Sequence, residues 1–347
     1  MSNVRRFAAV NTKIKSMVGK LLTHEDYLNM LTMTSEKEIF DYLNEETYYS
    51  NIFKDMNEED YSIANVESHI KNYIITLYKK INCFITGDYQ KLFRLLMKRF
   101  EAEDIKAFLR GLILKQDISE LYLEYPNASF YSKLDYREMS ACTDVAELVE
   151  MLKDTLYYKV LKLYLSEDED RMLFYMEMNI DRVYFSKLSV EISKFKGDEK
   201  PIFEILQMNI DFLNFQWIYR GRKFYKLSSE EILNYTLPNG HFLNYDLLKK
   251  LSYAEDEETL FDLMTKTHYK KLFSHDKDTE LYLERDMDRY LYKHFLKSER
   301  ESSLNMITVV TFTHRLEFEM RDLFTMIEAK HYGVAPEELK EYLIRVI

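Results

Sequence analysis

Phe40-Asp41-Tyr42-Leu43-Asn44-Glu45-Glu46-Thr47-Tyr48-Tyr49 decides the fold, because the chain writes its pattern again from Leu148 to Tyr157 and from Leu260 to Tyr269. Thr47, Thr155 and Thr267 each open a Thr-x-Tyr signature, at steps of 108 and 112 residues. Around each Thr the same residue types recur. A hydroxyl residue stands fifteen before (Thr32, Ser140, Ser252) and an acid eleven before (Glu36, Asp144, Asp256). Apolar residues stand seven before (Phe40, Leu148, Leu260), four before (Leu43, Met151, Leu263) and six after (Phe53, Leu161, Phe273). An acid followed by apolar residues at that spacing predicts an amphipathic helix, with one stripe toward a core and a negative first turn against the helix dipole. Ser35 with Glu38 fits a capping box. The first and third copies share an ungapped register of 220 residues, from Leu22–Phe53 to Phe242–Phe273.

A second ladder has the same period. It starts at Glu101, Asp211 and Glu319 and continues three residues later at Asp104, Asn214 and Asp322, with steps of 110 and 108. Arg110 and Arg220 follow, with Glu328 breaking the pattern in the third copy; next come the small residues Gly111, Gly221 and Ala329, and then Glu120, Glu230 and Glu338. A period of about 110 residues is too long for a solenoid repeat of roughly 20–50 residues, so each copy is expected to be a small domain with its own core. The expected domains are 1–117, 118–227 and 228–347, with helix starts at Ser228-Ser229-Glu230-Glu231 and Pro336-Glu337-Glu338.

Composition points the same way. The chain has 347 residues with only 7 Gly and 4 Pro, which leaves few places to turn sharply and predicts long helices and an all-α class. A net charge of −11 with acids spread throughout argues against nucleic acid and anionic lipid as partners and leaves protein surfaces. Cys83 and Cys142 are too few for a disulfide framework or a thiolate zinc site, which suggests a reduced, cytoplasmic setting. No signal-peptide core and no run of about 18 apolar residues is present, so any membrane role is expected to pass through another protein.

Chemistry finds little support. No two glycines lie within ten residues of each other, which excludes a P-loop and a G-x-G-x-x-G fingerprint. No histidine pair has zinc spacing on one helix turn; His268 and His275, seven apart, could share a face, with ordinary helix histidines the plainer reading. The runs Glu167-Asp168-Glu169-Asp170 and Glu255-Asp256-Glu257-Glu258 read as solvated helix starts before they read as cation or acid–base sites. No catalytic, cofactor or metal residue is assigned. Trp217-Ile218-Tyr219-Arg220-Gly221-Arg222-Lys223-Phe224-Tyr225 is the most basic and aromatic stretch of an acidic chain. It reads either as an interface anchor or as a buried helix whose Trp packs in the core and whose Arg meets acids such as Asp211. The interface candidates are Arg110, Trp217, Tyr219, Arg220, Arg222 and Lys223.

Three stretches carry a family resemblance. They are Phe100 to Arg110, Asn214 to Gly240 with Leu237-Pro238-Asn239-Gly240 at its end, and Glu317-Phe318-Glu319-Met320-Arg321-Asp322-Leu323 through Glu337-Glu338-Leu339. Asn11-Thr12-Lys13-Ile14-Lys15 through Leu21-Leu22-Thr23 also fits, so the likeness covers essentially the full chain. The chain resembles the C subunit of bacterial and archaeal V/A-type ATPases, which is similar to the d subunit of the eukaryotic vacuolar enzyme. It departs from the family at Asp104, Asp322 and Phe324, where Asn, Asn and Arg are usual.

The resemblance implies three related helical domains in a pseudo-threefold funnel, on the cytoplasmic face of the membrane. Its partners would be the central stalk subunits and the membrane rotor ring, with one copy per complex and no cofactor. The implied function is torque transfer during ion transport by a non-catalytic subunit. A free helical adaptor for soluble partners and an enzyme using scattered carboxylates are the competing expectations.

Overall fold

A computed structural model of the chain describes residues 3–54, 56, 61–195, 199–273, 279–301 and 304–347. It is all-α, with no strand among the described residues. In chain order the helices are α1 (Asn3–Val18), α2 (His24–Thr32), α3 (Glu36–Glu46), α4 (Ser50–Phe53), α5 (Ile63–Asn82) and α6 (Gly87–Ile113). Next are α7 (Tyr136–Ser140), α8 (Val145–Met151), α9 (Tyr158–Leu161), α10 (Glu169–Ile192), α11 (Lys200–Lys223) and α12 (Ser229–Tyr235). The last are α13 (Tyr245–Ser252), α14 (Glu257–Thr265), α15 (Thr279–Glu301), α16 (Met306–His331) and α17 (Pro336–Tyr342).

The chain forms two compact units: Met1–Thr86 with His275–Ile347, and Gly87–Ser274. In the first, α16 packs against α1, α3, α5, α15 and α17. Every residue from Met306 to Thr313 is buried, so the start of α16 is a central element with no solvent stripe. In the second unit α6 runs along α10, and α11 packs against α10, α12 and α13. Asp211, Phe212, Asn214, Phe215, Trp217, Ile218 and Tyr219 of α11 are all buried. One helix of each unit is therefore surrounded, and its polar side chains must find partners in the loops around it.

The helix starts follow local chemistry. Ser228 accepts from the Glu231 amide and Glu231 reaches back, a full capping box as the expected helix start required. Pro336 occupies the first turn of α17. The capping box expected at Ser35 is only half formed. Ser35 accepts from the Glu38 amide at 3.3 Å, but the Glu38 carboxylate instead takes the Thr34 amide (2.7 Å) and hydroxyl (2.9 Å). Thr143 and Glu147 repeat this arrangement around the Asp144 cap of α8. A hydroxyl one residue ahead of the cap offers the Glu two donors, which outcompetes the single amide of the cap itself.

The small residue of the second ladder marks one recurrent helix ending. The carbonyls of Gly111, Gly221 and Ala329 accept from the amides of Gln116, Leu227 and Val334, at 2.8, 3.0 and 2.8 Å. The turn is completed by a left-handed residue each time: Lys115 (φ 56°), Lys226 (φ 49°) and Gly333 (φ 70°). Returning the chain this way satisfies orphan carbonyls at the helix end. It also lays Ile118 directly over Gly111, where an added Cβ would sit 2.3 Å from the Ile118 Cγ2.

Gly111→Ala is therefore expected to destabilise the second unit by about 1–3 kcal/mol through overpacking. Gly19→Ala, whose Cβ would meet nothing closer than 3.9 Å, serves as the reference. Urea unfolding of both variants checks this, and equal midpoints would refute it.

Candidate functional site

The two ladders meet in hydrogen bonds. Asp211 on α11 accepts from the Phe242 amide (2.7 Å), the Leu243 amide (3.2 Å) and the Tyr269 hydroxyl (2.8 Å). Glu319 on α16 accepts from the Leu22 amide (2.9 Å) and the Tyr49 hydroxyl (2.8 Å). Leu22 and Tyr49 are the residues 220 positions before Phe242 and Tyr269, so the two nodes are equivalent. Each Tyr is aimed by its own Thr. The hydroxyls of Thr47, Thr155 and Thr267 donate to helix-end carbonyls at 2.7 Å and accept from the amides of Tyr49, Tyr157 and Tyr269 at 3.0–3.2 Å. In the remaining copy burial, and after it the Glu101 charge, push the Tyr157 hydroxyl upward, while the Glu101 carboxylate accepts from Lys98.

The second acid position closes a different loop. Asn214 exchanges two bonds with Leu237, accepting its amide at 2.6 Å and donating to its carbonyl at 2.9 Å. A carboxylate cannot donate, and Asp322 instead accepts from the amides of Ile344 (2.6 Å) and Arg345 (3.0 Å) and from Tyr27 (3.2 Å). Asp104 accepts from Tyr131 (2.7 Å) and Tyr136 (2.8 Å). The departures from Asn thus carry defined polar roles, as pure acceptors. These bonds run from Asp104 and Asp211 to segments beyond residues 117 and 228, and from Glu319 to the N-terminal segment. Burial lifts the Glu319 carboxyl to about 7, against the opposing bonds from Tyr49 and Leu22. Burial likewise raises Asp322 to about 6.

The acids of the nodes each accept two or more internal hydrogen bonds, which suits them to holding loops. No group of three or more His, Cys, Asp or Glu able to hold a metal occurs among the described residues. Asp256 caps α14 by accepting from the Thr259 amide at 2.8 Å, with Glu257 and Glu258 in the first turn. Asp168 stands at the cap position of α10. His268 stacks on Phe242 at 4.2 Å, and His275 lies outside the described residues.

The six interface candidates separate by burial. Trp217 and Tyr219 are 7% and 6% exposed; Tyr219 lies edge-on to Phe261 at 5.8 Å and belongs to the core of its unit. Arg222 donates to the carbonyls of Ser252 (2.8 Å) and Glu255 (3.3 Å) instead of meeting Asp211, which is occupied by loop amides and Tyr269. Lys223 donates to the Tyr219 hydroxyl at 2.6 Å and faces Glu257 at 3.6 Å. Arg222 and Lys223 thus tie the end of α11 to the segment before and within α14. Arg220 is exposed. Arg110, about half exposed, pairs with Glu177 of α10 at 2.6 Å. The structure brings Tyr219 and Lys223 into contact, while Arg110 occupies α6. Sequence reasoning passed over the middle residue of the Thr-x-Tyr signature. Tyr48 and Leu156 there are 51% and 60% exposed, and the ladder itself was the signal.

Comparison with known proteins gives one consistent result. The family described as ATP synthase (C/AC39) subunit matches residues 10–342. The C subunit of the A-type ATP synthase of Methanosarcina mazei is 23% identical over 344 residues, covering 97% of this chain and 92% of the relative. Its counterpart in Methanocaldococcus jannaschii is 25% identical over 346 residues, covering 97% and 86%. The counterpart in Thermococcus kodakarensis is 24% identical over 339 residues, covering 96% and 89%.

Glu319 generates a pH prediction. Its folded-state value of about 7 lies above the ordinary 4.5, so folding favours the protonated form. That contribution is complete below the ordinary value and is lost as pH rises through about 7. Relative to Glu319→Gln, the parent chain should gain about 3 kcal/mol as pH falls from 8 to below 5. Denaturant titrations across that range measure it, and parallel stability curves would exclude the effect.

Proposed function

The chain belongs to the ATP synthase (C/AC39) subunit family, and we propose on that footing that it is a non-catalytic part of the rotor that couples the central stalk to the membrane ion-carrying ring. The observation that carries this reading is the family match along residues 10–342. Among the described residues no helix is long and apolar enough to cross a membrane, so contact with a ring would be made through protein surfaces, at the cytoplasmic face. One copy per complex would follow from a single socket on a single axis.

Torque transfer requires a body that does not yield under load, and close-packed helices have low compressibility. The buried acid nodes support the role. Each joins a surrounded helix to the loops beside it with bonds of 2.6–3.2 Å. We further propose that the three sequence copies, 1–117, 118–227 and 228–347, are the three domains of a pseudo-threefold funnel. Its partner-facing positions would include Arg110 and Arg220.

Arg110→Glu and Arg220→Glu are expected to lower co-purification with stalk and ring proteins from membranes; Arg220→Glu should leave the melting temperature of the isolated chain within about 2 °C of the parent, and Arg110→Glu, which sets a third carboxylate beside Glu177 and Glu103, should lower it further. Trp217→Ala should instead cost about 3–5 kcal/mol of stability. Full retention of stalk and ring by both reversed variants would remove Arg110 and Arg220 from the contact; failure of the parent chain to co-purify with either would end the coupling reading.

A further inference from the structure

Both ends of the chain are tied to one turn of α16. Glu319 and Asp322 stand three residues apart and are 5% and 1% exposed. Glu319 holds the N-terminal segment through the Leu22 amide (2.9 Å), and Asp322 holds the C-terminal segment through the amides of Ile344 (2.6 Å) and Arg345 (3.0 Å). Arg345 donates to the Leu22 carbonyl at 2.6 Å and lies over the Tyr27 ring at 4.8 Å. Each end is thus bound to the other as well as to the helix. A cavity of about 240 Å³ beside this junction, bordered by Gly19, Leu22, Tyr27 and Arg345, gives the tied segments room to shift.

Charge at the junction does not balance. Arg345 is the one cation turned to the two carboxylates without an acid partner bonded to it, and its field also reaches Asp26 of α2. Arg321 is bound to Asp288 of α15 at 2.6 Å, Arg315 to Glu299 at 3.1 Å, and Arg289 to the carbonyls of Lys340 and Leu343. Glu341 of α17 is turned to Arg285. The remaining polar groups are the hydroxyls of Tyr27 on α2, Tyr49 after α3, Tyr73 on α5 and Tyr292 on α15, and α1 lines the cavity with Val18 and no charge. Two buried carboxylates with one partly shared cation lose more hydration than they regain. The equivalent node of the second unit has one acid, Asp211, and one carboxamide, Asn214, so the architecture does not require a second acid.

We propose that Glu319 and Asp322 form a pH-sensitive latch over the two chain ends, closed in acid and loosened as the surroundings turn alkaline. When protonated, Glu319 keeps one oxygen for the Leu22 amide and turns its proton to the Tyr49 hydroxyl, so the closed junction is satisfied without charge. As pH rises through about 6 for Asp322 and about 7 for Glu319, both ionise. Repulsion and lost hydration then favour a state in which residues 19–27 and 343–347 lift and admit water to the carboxylates. Such a local opening costs less than unfolding the whole unit, whose centre at Met306–Thr313 is buried throughout. The latch belongs to the first unit alone and does not depend on the coupling role proposed above.

Hydrogen–deuterium exchange of the full chain, followed by mass spectrometry from pH 6 to 8 and corrected for the intrinsic rate, tests the latch. Opening of the peptides that contain Leu22 and Ile344 should rise about tenfold over that range, as linkage requires of a carboxyl at about 7 closed and 4.5 open. At pH 8 both should open at least about tenfold more readily than Met306–Thr313, and the peptide containing Leu237, held by Asn214, should not follow pH. E319Q should remove most of the rise. D322N, which puts a carboxamide where Asn214 has one, should at least halve it and decides the case if E319Q does not fold. The proposal is overturned by opening that is independent of pH, or by a rise that survives the substitutions. It is overturned too if the Leu22 and Ile344 peptides open in step with Met306–Thr313, because the effect would then be one of global stability alone.

Discussion

A helix surrounded by other chain cannot hide polar side chains, and in this protein that constraint organises everything else. The carboxylates and carboxamide on α11 and α16 have no water to turn to, so they take the amides of neighbouring loops and the hydroxyls of tyrosines. Loops that would otherwise carry unsatisfied amides are thereby fixed in position. The long helices supply rigidity along their length, and the nodes supply it across.

The repeat was legible because residue types, counted at fixed offsets, need no knowledge of contacts. The meaning of its positions was not. The acid of the second ladder and the tyrosine of the first belong to one hydrogen bond, yet Glu319 and Tyr49 stand at opposite ends of the chain, and no spacing rule joins them. The helix endings were hidden for a different reason. Two of the three left-handed residues are lysines, Lys115 and Lys226, where a sequence reader looks for glycine. What could be read was the small residue one turn earlier, which is the mark left by Ile118 crossing over the helix.

The basic aromatic block shows how one composition serves two purposes. Of its aromatic members Trp217 and Tyr219 face inward and Phe224 is exposed, while Arg222 and Lys223 reach across to carbonyls and a carboxylate at the next helix start. Interface anchors and core anchors use the same residue types, because both bury large surfaces with a polar tip. Only the neighbours distinguish them. Asn11 illustrates the opposite case: in sequence it is one member of a familiar run, and its unusual condition, a buried carboxamide without partners, exists only in three dimensions.

The bond between Leu22 and Glu319 spans 297 positions, and it sets an order of events on the ribosome. At about 5–20 residues per second, the N-terminal segment waits on the order of fifteen seconds or more before the acid that will hold it has been made. The unit formed by residues 87–274 is continuous in the chain and can close during that interval. The helices of the N-terminal segment are thus among the last to settle, and until then their apolar faces depend on whatever shelters a nascent chain.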